Sequence, residues 1–158
     1  MRAFAAGAVL LLASACTAPG AVGCTEIGAS PGVGVTVEKA SAANVTALRL
    51  RVCWAGDCTD HEVELSPGSD TVDQGCESDE PDAACSATVV PNDTLVGFVE
   101  IPGLPAGEVQ IGATLQHGKR STRLPEVAIQ AETAYPNGPQ CEPAANQAQV
   151  TIGRDGVR

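Results

Sequence analysis

The sequence predicts an all-β fold: a single antiparallel β-sandwich of seven to eight short strands, stapled by disulfides and preceded by an export signal. Three observations carry this. Apolar residues alternate at period two, and no window shows a long apolar stripe at helical spacing. Clusters of Pro and Gly interrupt the alternation at short intervals. Seven cysteines and only 3% aromatic residues describe a small core that relies on disulfides in an oxidising compartment.

The first 15 residues have the pattern of a signal peptide. Arg2 is the only charge before Glu26, and residues 3–15 form an unbroken run of apolar and small side chains. Thirteen residues are too few to cross a hydrocarbon core of ~30 Å as a helix. A basic start, a short apolar centre and a small-residue exit are the marks of a cleaved secretory leader. The exit, Leu12-Ala13-Ser14-Ala15-Cys16, resembles the lipobox of bacterial lipoproteins. That resemblance implies cleavage before Cys16 and a diacylglyceryl group on its sulfur, the only cofactor-like group expected. Ala13 stands where a branched aliphatic residue is commoner. Ala21-Val22-Gly23-Cys24 is a competing site, but Pro19 and Gly20 separate it from the apolar run. Parity favours Cys16: its lipidation leaves six cysteines, whereas lipidation of Cys24 leaves five and a stray thiol. Residues 16–23 then form a lipidated tether, and the membrane is contacted through the anchor alone.

Residues 24–158 form one domain, large enough for a core of its own. Strands are expected near residues 33–37, 47–54, 59–65, 87–90, 95–101, 108–116, 126–131 and 147–152. The breaks between them are Ser66-Pro67-Gly68, Pro91-Asn92-Asp93, residues 102–107 and residues 135–139.

One hairpin can be read to its register. Cys53 and Cys58 flank Trp54-Ala55-Gly56-Asp57. If the cysteines face each other, Arg51 opposes Asp60, Arg49 opposes Glu62, Leu50 opposes His61 and Leu48 opposes Val63. Charge then meets charge on one face, and the other face is mainly apolar. A slip of one residue would destroy both agreements. Proximity pairs the remaining cysteines: Cys76 with Cys85 around an acidic loop, and Cys24 with Cys141 across the domain. Six cysteines allow fifteen connectivities, of which this is one.

Residues 95–111, Leu-Val-Gly-Phe-Val-Glu-Ile-Pro-Gly-Leu-Pro-Ala-Gly-Glu-Val-Gln-Ile, resemble the strand–turn–strand hairpin of transthyretin-like and Cna-B-like modules. The resemblance implies a prealbumin-like or immunoglobulin-like sandwich, with Leu104 in the core, and no activity. On its lipobox, its Ala/Gly/Val bias and its Val-Cys-Trp-Ala-Gly-Asp-Cys hairpin, the whole chain resembles small actinobacterial lipoproteins.

Charge narrows the functional classes. The net charge is −10, and residues 53–118 hold thirteen acids and no Lys or Arg. Such a surface repels phosphates and anionic headgroups, which disfavours nucleic-acid partners and direct headgroup contact. Asp70, Asp73, Asp79 and Asp82 are weak metal candidates: Ca²⁺ takes six to eight oxygens, but no recognised ligand spacing is present. A solvated acidic loop that protects a sheet edge is the preferred reading of them. There is no C-x-x-C, no G-x-S-x-G and no phosphate-binding glycine loop, and the two histidines, His61 and His117, are far apart in sequence. No catalytic residue is therefore assigned. Trp54 is a candidate ligand contact, because a Trp at a hairpin tip can stack on sugar or protein, although it can also cap the core.

Two functional classes follow. One is a non-catalytic envelope lipoprotein displaying a sandwich to a protein or carbohydrate partner. The other is an envelope lipoprotein that binds a metal or small ligand through acidic loop 70–82. For the anchor, Cys16→Ala is expected to abolish fatty-acid incorporation in intact cells, and Cys24→Ala to leave it unchanged. Loss of radiolabel on the Cys24 substitution instead would move the anchor.

Overall fold

The computed structural model describes residues 23–142 and 144–158. The leader, Cys16 and nearly all of the tether lie outside this range. The elements are β1 (Gly32–Val37), a one-turn helix α1 (Lys39–Ala42), β2 (Ala47–Trp54), β3 (Asp57–Val63), β4 (Leu65–Cys76), β5 (Cys85–Glu100), β6 (Gly107–His117), β7 (Arg120–Ala134), β8 (Ala145–Gly153) and β9 (Gly156–Val157). The strands form one open mixed sheet in the order β3-β2-β6-β7-β8-β1-β5-β4, and β9 pairs with β8.

The path has two halves joined through β7. Its first part pairs with β6 as far as Gly107↔Ala131, and its last three residues, Glu132 to Ala134, pair with β8. Inward side chains from both halves meet in one apolar cluster. Val33, Val35 and Val37 of β1 and Val150 and Ile152 of β8 pack there with Leu48, Leu50 and Val52 of β2 and Ile111 and Leu115 of β6. No polar side chain is buried among the described residues. Burial and packing of apolar groups, with disulfides at Cys53 and Cys141, therefore hold the core.

The β2–β3 hairpin has the register expected from the sequence. Cys53 faces Cys58, Arg51 faces Asp60, Leu50 faces His61, Arg49 faces Glu62 and Leu48 faces Val63. Leu48, Leu50 and Val52 are buried, whereas Arg49 and Arg51 look outward. The bridges are Cys24–Cys141, Cys53–Cys58 and Cys76–Cys85.

Four expectations are corrected. The sheet is mixed, not purely antiparallel, because β1 runs parallel to β8 while pairing antiparallel with β5. No tight turn links β1 to β8, so loop geometry does not dictate their direction. β1 is also covered on both faces, as parallel strands commonly are. Its outward positions are Gly32 and Gly34, over which the side chains of Phe98 and Gln149 lie.

The second correction concerns turns. Ser66-Pro67-Gly68 and Pro91-Asn92-Asp93 do not end strands. They border one irregularity inside the long β4–β5 hairpin: Pro67 pairs with Leu95 and Ser69 with Pro91, so the register shifts around Gly68 and residues 92–94. Pro lacks a ladder donor, so strands accommodate it at such irregularities. The side chains of Asn92 and Thr94 occupy the space a Gly68 Cβ would need. Two expected strands, 87–90 and 95–101, are thereby one, and the polar far half of β4 is a strand the alternation does not reveal.

Third, β5 and β6 are not a hairpin. β5 pairs with β1 and β4, and β6 with β2 and β7. The link between them arches from one half to the other. Ile101 and Leu104 are both buried, and Gly103 and Gly107 take positive φ of 81° and 105°. Fourth, the strands among the described residues number nine rather than seven or eight.

Residues 69–91 project from the domain. Nearly every side chain there is exposed on both faces of the ribbon, Val72 and Val89 included. The bridges therefore differ in effect. In the chain-entropy relation, closing the 24–141 loop contributes about 5 kcal/mol and closing 53–58 about 2 kcal/mol. Loss of Cys76–Cys85 frees the arm tip in the native state as well as in the unfolded one, so much of its contribution cancels. The Cys24→Ser/Cys141→Ser variant is expected to lower the melting temperature most, and Cys76→Ser/Cys85→Ser least. Thermal unfolding of the three paired variants checks this order.

Candidate functional site

Trp54 ends β2, opposite Asp57, and packs half-buried against the core. Its ring caps the apolar interior and offers only part of its surface to a partner. The acidic candidates are dispersed. Asp70 accepts a hydrogen bond from Asn92 Nδ2 at 2.8 Å, and Asp73 accepts one from the Gly75 N–H at 2.7 Å. Asp79 and Asp82 lie in the loop at the arm tip, and all four are exposed. Among the described residues, no three His, Cys, Asp or Glu side chains come together to hold a metal ion. His61 Nε2 lies 2.7 Å from Thr59 Oγ1 on β3, and His117 Nδ1 lies 3.2 Å from the Ala43 carbonyl. The structure does not bring these two histidines into one site.

Two concavities stand out instead. The first, of about 530 Å³, is lined by residues 28–30, Phe98, Ala134, Tyr135, Pro136 and Gln147. It gathers two of the three aromatic residues that follow the leader. Both rings are 41% exposed. Phe98 is placed by β5, on the outward parity of Val96 and Glu100, and its ring lies across Gly32. A Cβ on Gly32 would overlap the Val99 carbonyl oxygen and sit 2.7 Å from Phe98 Cζ, so glycine there lets both the β5 backbone and the ring come close to β1. Tyr135 opens the turn after β7, which closes through Gly138 N–H to the Tyr135 carbonyl at 3.0 Å.

The opposite wall is held in place by polar contacts. Asn137 Nδ2 donates to the carbonyls of Thr25 and Ile27 at 3.1 and 2.6 Å, and Gln147 Nε2 donates to the Ser30 carbonyl at 2.8 Å. The Cys24–Cys141 bridge ties the same two segments. The cleft is thus preformed by side chains distant in sequence. Pattern reading missed it for that reason. The available signal was Phe98 on an outward parity and Tyr135 leading a Pro-Asn-Gly-Pro turn, both unusual in a chain so poor in aromatics.

The second concavity, of about 910 Å³, lies on the outer face of β2, β6 and β7. Its lining includes Arg49, Arg51, Arg123, Asp60, Glu62 and Glu126. Arg49 pairs with Glu62 at 2.8 Å, and Arg51 lies between Asp60 at 3.6 Å and Glu126 at 3.2 Å. The sequence register anticipates the first two pairs. The Glu126 contact comes from β7 across the sheet, which the hairpin alone does not predict. All these groups are well exposed, so the pairs add little to stability. What they do is hold guanidinium and carboxylate groups in fixed places on a concave surface. No protein-family model, curated protein or solved structure matches this chain.

Proposed function

We propose that this protein is a non-catalytic bacterial cell-envelope lipoprotein, held on the outer face of the membrane by a diacylglyceryl group at Cys16. In this reading it displays a β-sandwich that binds carbohydrate, or a protein partner, at the Phe98–Tyr135 cleft. The observation that carries the reading is two exposed aromatic rings, with Gln147 beside them, lining one preformed cleft in a chain that has almost no other aromatic side chains. Exposed rings provide flat apolar faces for the C–H faces of sugars, and a neighbouring amide supplies both a donor and an acceptor for hydroxyls. The leader and lipobox support export and anchoring. The meeting of both halves of the sheet in one core supports a sandwich architecture.

The cleft is expected to bind neutral oligosaccharides weakly. Phe98→Ala and Tyr135→Ala should each weaken binding about three- to tenfold, the scale of one aromatic contact at ~0.5–1.5 kcal/mol. Trp54→Phe should leave binding unchanged. Titration against a panel of cello-, xylo- and manno-oligosaccharides measures this. If none binds, the reading turns to a protein partner. If Trp54→Phe is the damaging change, the site moves to the β2–β3 tip.

A further inference from the structure

We propose that the groove on the outer face of β2, β6 and β7 binds a carboxylate-bearing sugar, gripped between Arg49 and Arg123 across Thr114. This goes beyond the aromatic cleft and does not depend on it.

Arg49 faces Thr114, and Thr114 faces Arg123, so the three form one row across three strands. All three line the groove, which places them on one face. Neighbouring strands are ~4.8 Å apart, so the two arginines start about 10 Å from each other with a hydroxyl between them. Two guanidinium groups on long stems can converge on one carboxylate above Thr114. Charge-assisted, forked contacts of this kind are the stronger class of hydrogen bond.

The surroundings leave this row unsatisfied. Glu62 engages Arg49 through Nη2 alone, and Asp60 and Glu126 both engage Arg51. Among the described residues, Arg123 has no ion-pair partner, in a chain whose acids outnumber its Lys and Arg by nineteen to nine. Five of those nine cations, Arg49, Arg51, Lys119, Arg120 and Arg123, belong to β2 and to the β6–β7 hairpin. The concavity itself comes from an irregularity. The β6–β7 register shifts between Ile111 and Ala113, opposite the stretch that carries Pro125. Gly112 forms part of the floor, where a Cβ would lie 2.8 Å from Glu126 Cγ.

The mixture of groups selects the ligand. Carboxylates on Asp60, Glu62 and Glu126 accept hydrogen bonds, while the arginines, Thr114, Ser121 and Gln116 donate them. A hydroxyl does both, so a polyhydroxylated molecule can satisfy either kind. The groove has no aromatic wall to favour an apolar side chain. Its three carboxylates and the net charge of −10 repel densely charged polyanions such as nucleic acid. An isolated carboxylate on a hydroxylated ring, as in a uronic acid, fits both conditions.

Calorimetric titration of the full-length chain with glucuronosyl-xylobiose, a trisaccharide with a single carboxylate, tests the proposal, with its methyl ester as the uncharged counterpart. The acid should bind at least tenfold more tightly than the ester. Arg123→Gln, an exposed change that breaks no ion pair, should weaken binding at least tenfold. Arg154→Gln, in the β8–β9 turn, should leave it unchanged. Absence of binding, or equal binding of the ester, would overturn the proposal. Equal loss with Arg154→Gln would reduce the effect to overall charge and overturn it as well. Unchanged binding with Arg123→Gln would place the sugar elsewhere on the surface, with the same consequence.

Discussion

The pairing of β1 with β8 is the constraint from which the rest of the architecture follows. It joins Gly32 to Gln147 and runs on to Val37 beside Ile152, so the first strand lies against nearly the last. Without it the β5–β4 ribbon would have no attachment to β7 and β8, because β1 is the strand between them. Closing so long a loop is entropically costly, and the cost must be met before the contacts it permits can form. The Cys24–Cys141 bridge closes almost the same loop, with a separation of 117 residues. Once it forms, β1 and β8 remain neighbours even in an unfolded chain. The same closure sets residues 28–30 against Tyr135 and Gln147, so the aromatic cleft is a by-product of the bond that organises the sheet.

How much of this was legible depended on whether the information was local. The β2–β3 hairpin was readable to the residue because three signals agreed: a cysteine at each side of the tip, opposite charges on one face and apolar residues on the other. All three cysteine pairs followed from proximity and parity. The β1–β8 pairing had no such signal, since its partners share no turn. The Pro-containing stretches at 67 and 91 misled for a different reason. Each alone resembles a turn, but each faces the other's irregularity across the ribbon, and a defect matched by a defect does not break a strand. The 95–111 stretch had the composition of a hairpin because a link between two separated strands of the sheet needs the same residues as a turn, with glycine at positive φ and proline between. The clefts were the least visible part. Phe98 and Tyr135, or Arg49 and Arg123, meet only after the strands have been ordered.

Charge is partitioned along the chain in a way that suits this order. The residues from β3 to the end of β6 carry thirteen acids and no Lys or Arg. The cations cluster where β2 and the β6–β7 hairpin lie side by side. Two of the three acids lining the groove, Asp60 and Glu62, come from β3, the strand paired with β2. They keep the arginines of β2 from repelling one another, and they do so at exposed positions, where a pair is worth little energetically but can fix a side chain's direction.

The projecting ribbon poses a last problem of stability. A two-stranded hairpin with both faces in water is marginal on its own, and residues 69–91 bury almost nothing. Its outer strand, β4, is also an edge, and Val72, Val89 and Val90 lie exposed on the ribbon. An apolar edge of that kind invites pairing with other copies. Two features answer this. Cys76–Cys85 pins the tip, where Gly75 takes a positive φ of 83° and Asp73 caps its N–H. Asp70, Asp73 and the acids of the tip loop place like charges on any two ribbons that approach each other. The acids of loop 70–82, read in the sequence more readily as a solvated loop than as metal ligands, fit that role: they keep a long, bare strand edge soluble.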